Sequence, residues 1–179
     1  MNVLIVYSSA FGSTKKVASQ IASNLKKMAD FTITLQSVDE TGSLKEYDTV
    51  IIGSSIRANR ILANVRDFIA RFKTELSQKN IFFFVVCLTA KCNEGRNKAK
   101  REYIEPVFAN YPQITPISIE AFGGKIETKS FNPVMKKLMR HVVDQAGLPQ
   151  DTSIDLIDHD SINQWSDFIK QELYEKIKS

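Results

Sequence analysis

Three features of the sequence predict an α/β fold with a mostly parallel sheet covered by helices on both faces. Short apolar runs at Val3 to Val6, Val50 to Gly53 and Ile81 to Leu88 read as buried strands. Amphipathic stripes with helical spacing alternate with them. The alternation runs to the C-terminus without repeats, low-complexity tracts or linkers, so a single domain over residues 1–179 is expected. In such sheets a ligand sits at the C-terminal ends of the strands, near the switch in strand order.

The elements follow in order. After Val3 to Val6 comes a small polar loop, Ser8 to Thr14. A helix from about Ser13 to Lys27 carries Val17, Ile21, Leu25 and Met28 on one stripe, with Ser13 or Thr14 as candidate cap. Phe31 to Leu35 alternates apolar residues with threonine, the pattern of a half-exposed edge strand. Val50 to Gly53 is a buried strand, and Ser54 to Asn59 is read as the loop at its end. Ile61, Val65, Phe68, Ile69 and Phe72 mark the next helix. Ile81 to Leu88 is the most apolar run and predicts a central strand. A helix carrying Ala99, Tyr103 and Val107 begins within the basic stretch Lys91 to Arg101, whose charges read as a solvated face, and stops near Tyr111-Pro112. Thr115 to Ala121 is a strand ended by Gly123-Gly124, and Ile154 to Ile157 is the last strand-like piece. A final helix from about Ser161 to Ile177 has Asp160 or Ser161 as its expected cap and Ile162, Trp165, Ile169 and Leu173 as its stripe.

One segment interrupts the alternation. Phe131, Val134, Met135, Leu138, Met139, Val142 and Val143 make an amphipathic helix with Lys136, Lys137 and Arg140 on its other face. Two readings stand: a helix docked on the domain, or a basic lid or membrane-surface segment.

Composition bounds the function. Hydrophobic residues are 43% and charged residues 25%, as in a globular protein. No run is long enough to span a bilayer and the N-terminus lacks a signal-peptide pattern, so a cytoplasmic protein is expected. Cys87 and Cys92 are the only cysteines, which supports neither a disulfide framework nor a zinc site. Cys87 reads as a small buried hydrophobe, and His141 and His159 as solvent-facing or capping residues. The net charge of +4 suits an acidic partner, but no nucleic-acid motif accompanies it.

Three loops converge at the expected ligand edge: Ser8 to Thr14, Ser54 to Asn59 and Leu88 to Cys92. The first offers hydroxyls from Ser8, Ser9, Ser13 and Thr14, with Gly12 permitting close backbone approach. It lacks the lysine of a nucleoside-triphosphate loop and the glycine pattern of a dinucleotide site. A monoester phosphate held by hydroxyls and amides fits it, with a merely decorated turn as the alternative.

Tyr7-Ser8-Ser9-Ala10-Phe11-Gly12-Ser13-Thr14 resembles the phosphate loop of the flavodoxins, which bind flavin mononucleotide (FMN). The family pattern is Ser/Thr-x-Ser/Thr-Gly-x-Thr. Ser9, Gly12, Ser13 and Thr14 match, and Phe11 departs. Tyr47-Asp48 before a strand ending in Gly53-Ser54-Ser55 also resembles the family's third strand and isoalloxazine loop, and the likeness extends to the closing helix with Asp160 and Trp165. The resemblance implies a flavodoxin-like doubly wound sheet of five parallel strands in order 2-1-3-4-5, with residues 125–153 as an insertion carrying the extra helix. It implies FMN as cofactor, held by Ser9, Ala10, Phe11, Gly12, Ser13, Thr14, Ser54, Ser55, Ile56, Arg57, Leu88, Thr89, Ala90, Lys91, Gly123 and Gly124. Flavodoxins are acidic and place aromatic residues near Arg57 and near Lys91-Cys92; this chain is basic and has none there. Arg57 and Lys91 are therefore expected to favour an anionic reduced flavin.

Ile52-Gly53-Ser54-Ser55-Ile56-Arg57 more closely resembles the I-G-x-S-I-R stretch of the flavodoxin-type quinone-dependent protoporphyrinogen dehydrogenases, which also carry a basic insertion in the last third of the chain. That resemblance implies an oxidoreductase of heme biosynthesis that oxidises protoporphyrinogen IX and passes electrons to a quinone. It implies peripheral contact with the inner face of the membrane through 131–143, the basic surface suiting porphyrin propionates and anionic lipid. No catalytic acid or base is identified, so the flavin would carry the chemistry. An electron-transfer flavodoxin-domain protein serving another redox protein is the second reading, and a non-redox binding domain the third. The sequence sets no oligomeric state.

Overall fold

The structure is a computed structural model that describes residues 1–126, 137, 143–144 and 153–178. Five parallel strands form the sheet: β1 (Asn2–Ser8), β2 (Thr32–Ser37), β3 (Thr49–Arg57), β4 (Asn80–Cys87) and β5 (Ser118–Gly123). Their spatial order is β2-β1-β3-β4-β5, the order the flavodoxin resemblance implies. Helices α1 (Ser13–Leu25) and α5 (His159–Lys178) cover one face. Helices α2 (Ala63–Arg71), α3 (Asn93–Ala99) and α4 (Glu105–Ala109) lie on the other. Lys100–Ile104 joins α3 to α4 as a π-helical turn just ahead of Pro106, which has no N–H to continue a regular ladder.

Strand alternation assigns each apolar residue to a layer. Leu4, Val6, Val50, Ile52, Ile81, Phe83 and Val85 face α2 and the α3–α4 segment. Val3, Ile5, Ile51, Phe82, Phe84 and Val86 face α1 and α5. Because β1, β3 and β4 are buried on both faces, their middles are apolar and polar residues fall at their ends. Trp165 of α5 closes the second layer. Its ring lies 6.3 Å from Phe82, 5.9 Å from Phe84 and 5.7 Å from Phe122, all edge-on, and its Nε1 donates to Ser118 Oγ at 3.0 Å.

The structure corrects several boundaries. Residues 54–59 are not a loop: β3 continues to Arg57, turns through Ala58 and Asn59, and returns as an antiparallel pair at Arg60–Ile61. Ile61 therefore belongs to this hairpin and not to the following helix. β5 includes Gly123 instead of stopping before it. Ile154–Asp155 stays outside the main sheet and pairs antiparallel with Lys125–Ile126. α5 is capped by Asp158, whose Oδ1 accepts from the N–H groups of Asp160 and Ser161, so neither of those two residues is the cap. The expected amphipathic helix over 131–143 lies outside the described residues except at Lys137 and Val143, and so does His141. Among the described residues no helix is long and apolar enough to cross a membrane.

Trp165→Ala removes the contact shared by three phenylalanines and leaves a cavity. A loss of about 3–5 kcal/mol is expected, read by urea unfolding followed by circular dichroism because Trp165 is the only tryptophan. A loss below about 1 kcal/mol would contradict the packing role given to this ring.

Candidate functional site

Parallel register brings the strand ends to one edge. Ser8 pairs with Ser54, Ser55 with Val86, and Cys87 with Gly123. The chain leaves this edge through residues 9–12, the hairpin 57–60, the turn Leu88–Ala90 and residues 124–125. The first loop, the 57–60 hairpin and the Leu88–Ala90 turn therefore meet.

The first loop is organised by where its hydroxyls point. Gly12 is the N-cap of α1 at φ 86°, a left-handed conformation that strains any residue with a Cβ. Neither Ser13 nor Thr14 caps the helix, contrary to the sequence expectation. The Ser13 hydroxyl donates to the Lys125 carbonyl and accepts from the Lys125 N–H, both at 3.0 Å. Thr14 is buried, with its hydroxyl 2.8 Å from that of Ser55. Ser55 Oγ also accepts from the Ala10 N–H at 3.1 Å, so one β3 side chain braces both ends of the loop.

The first turn of α1 thus carries no side-chain cap and no acidic residue. Its amides and the positive end of its dipole are left for an anion. The Ser9 hydroxyl oxygen is buried and lacks a hydrogen-bond partner among the described residues. A buried orphan of this kind costs about 1–3 kcal/mol unless something binds it. A strand, a left-handed glycine, an uncapped helix and an orphaned hydroxyl together suit a phosphate monoester. No lysine or arginine lies within residues 8–14 to favour a triphosphate.

The other expected site residues divide. The Ser54 side chain is buried, donates to the Ser55 carbonyl and accepts from the Leu62 N–H, so it closes the hairpin instead of facing a ligand. Ser55 faces the first loop, Ile56 packs on the α2 layer, and Arg57 is exposed. Leu88 and Ala90 are buried, leaving Thr89 and Lys91 on the open side of their turn. Thr89 Oγ1 lies 3.4 Å from the Tyr103 hydroxyl. Gly123 and Gly124 are buried: a Cβ on Gly123 would collide with Leu156, and Gly124 accepts from the Leu156 N–H. Ala10, Phe11 and Lys91 are exposed, and Phe11 is the only aromatic in residues 8–14, 54–60 and 88–92. Those stretches contain no Asp or Glu, so the mouth is positive.

Cys87 ends β4 at this edge. Burial pushes its thiol up to about 11, so it stays protonated at neutral pH and supplies no thiolate. His159 is exposed and bonded to Gln20, consistent with a solvent-facing residue.

Sequence reasoning missed Arg96. It is not part of a solvated face: its guanidinium bonds Asp158 Oδ2 and Ser161 Oγ, both at 2.6 Å. This joins α3, which follows the Leu88–Ala90 turn, to the capped start of α5. No spacing in the sequence links Arg96 to Asp158, which is one of three acids in residues 155–160.

A family model described as flavodoxin domain matches residues 4–153. The chain is 25% identical over 160 residues to a protoporphyrinogen IX dehydrogenase (quinone) of Escherichia coli strain K12, covering 88% of this chain and 87% of that one. It is 24% identical over 156 residues to a protein of the same name from Leishmania major, covering 86% and 67% of the two chains. Among solved structures, oxidised flavodoxin 1 from Bacillus cereus superposes with a TM-score of 0.51 at 14% identity, covering 95% of this chain and 98% of that one.

The Asp158 carboxyl is held far below its ordinary value of 3.8, first by the Ser161 hydroxyl and amide and then by Arg96. A depressed folded-state value gives stability that is complete above the ordinary value and drains away as pH falls below 3.8. Asp158→Asn should be less stable at neutral pH and should lose less stability than wild type on acidification, measured by urea titration at each pH. Equal acid loss in the two proteins would rule out this linkage.

Proposed function

The chain belongs to the flavodoxin domain family, and on that premise we propose that it is an FMN-dependent oxidoreductase that oxidises protoporphyrinogen IX and passes the electrons to a quinone. The observation that carries the cofactor assignment is the orphaned Ser9 hydroxyl beside the uncapped start of α1. FMN is the cofactor of this site: Ser9, Thr14 and the first amides of α1 would hold its phosphate, with the Ser55–Arg57 and Thr89–Lys91 edges beside its ring. The bound flavin supplies the electron-accepting chemistry. Ser55 keeps the phosphate loop in place through Ala10 and Thr14. Lys91, exposed among loops without acids, favours negative charge on the bound ring. The protoporphyrinogen assignment is supported by the names of the 25% and 24% identical relatives and by the positive mouth.

Purified protein should take up FMN, and Thr14→Ala should weaken that uptake about tenfold, the loss of one good hydrogen bond. Lys91→Gln should lower the two-electron midpoint by about 30 mV, the equivalent of about 1.4 kcal/mol; an unchanged midpoint would remove Lys91 from the tuning. Anaerobic oxidation of protoporphyrinogen IX with a soluble quinone tests the reaction. A flavin-loaded protein that leaves the porphyrinogen unchanged yet exchanges electrons with a redox protein would replace this reading with that of a carrier.

A further inference from the structure

The hairpin at the end of β3 sets two like charges side by side, and a flavin role for Arg57 leaves Arg60 without one. Arg57 and Arg60 are directly paired across it, and both are exposed. Paired residues in an antiparallel ladder project from the same face, and placing like charges opposite each other is unfavourable. Between them, Ala58 and Asn59 both take left-handed conformations, at φ 48° and 56°. That is the backbone of a two-residue primed turn, made here without glycine. The left-handed conformation is strained for alanine. The turn fixes the register, and a shift by one residue would put the arginines on opposite faces.

Neither guanidinium has a partner among the described residues, whereas Arg66 bonds the Ile61 carbonyl, Arg71 lies over the Phe72 ring and Arg96 is paired with Asp158. Alternation along β3 puts Arg57 on the face of Ser55, which touches the phosphate loop. The two charges therefore sit at the rim of the cofactor site, on its loop side.

We propose that Arg57 and Arg60 form a clamp for the two carboxylates of a dianionic substrate. The clamp rests on the porphyrinogen reading, since protoporphyrinogen IX carries two propionates on neighbouring pyrroles. Each guanidinium offers a planar fork that matches one carboxylate. The fixed turn holds the two forks side by side before the ligand arrives, which lowers the ordering cost of binding.

The test uses the flavin-loaded full chain and two probes that do not turn over, protoporphyrin IX and its dimethyl ester, in mild detergent with binding read by Soret absorbance. Wild type should prefer the diacid. Arg57→Gln and Arg60→Gln should each weaken the diacid about tenfold, the double variant should bind diacid and ester alike, and Arg71→Gln should behave as wild type. An unchanged thermal midpoint in each variant shows that folding is intact, and binding is compared at equal flavin occupancy. A double variant that keeps wild-type diacid affinity while wild type oxidises porphyrinogen overturns the clamp and leaves the reaction standing. Wild type that neither binds the diacid nor oxidises porphyrinogen overturns both. Unchanged diacid binding with lost affinity for phosphatidylglycerol vesicles overturns the clamp in favour of a lipid-facing hairpin.

Discussion

Burial of β1, β3 and β4 on both faces is the constraint from which the site follows. A strand with helices above and below has no room for unpaired polar side chains. Past its first residue each of these strands stays apolar until it nears its C-terminal end, where Ser8 in β1, Ser54 and Ser55 in β3 and Cys87 in β4 stand. Parallel pairing in register then gathers those ends at one edge. The polar side chains of these strands' C-terminal halves are gathered at that edge because the buried middle of the sheet has no room for them.

Within the edge, what matters is how few polar groups remain free. Ser13 is committed to Lys125, Thr14 to Ser55, and Ser54 to Leu62. Each bond ties the first loop or the hairpin to a neighbouring element, so the loop is held in place by the protein itself. The Ser9 hydroxyl and the first amides of α1 are left over. Rigidity and an unsatisfied remainder are the two requirements of a site that recognises an anion without a lysine.

The sheet was legible because its signal is periodic and local. Three apolar strands, two alternating ones, the stripes of α1 and α5 and the polar breaks between them all follow from spacing within about ten residues. What was missed depends on partners far away in sequence. Ser13 looked like a cap, but its partner lies 112 residues on. Arg96 looked solvated until the chain returned at Asp158. The 57–60 hairpin was read as a loop because its turn carries Ala58-Asn59 where Asn-Gly is the usual sign. The stretches that meet at the edge could be picked out from the sequence, whereas the strand character of 54–57 and the inward or outward aim of single residues such as Ser54 and Leu88 came only from pairing and packing.

The strand order has a consequence for how the chain is made. The sheet grows outward from β1: β2 adds to one side, then β3, β4 and β5 add in turn to the other. Each strand leaving the ribosome finds an edge already in place, and none has to insert between two paired strands. The long-range pairing of a parallel sheet is thereby divided into steps of modest loop closure. One exposure persists to the end. Phe82, Phe84 and Phe122 wait for Trp165, which arrives on the last helix. A nascent chain therefore carries an uncovered aromatic face until Trp165 has been made, and a product truncated before it would present that face to chaperones.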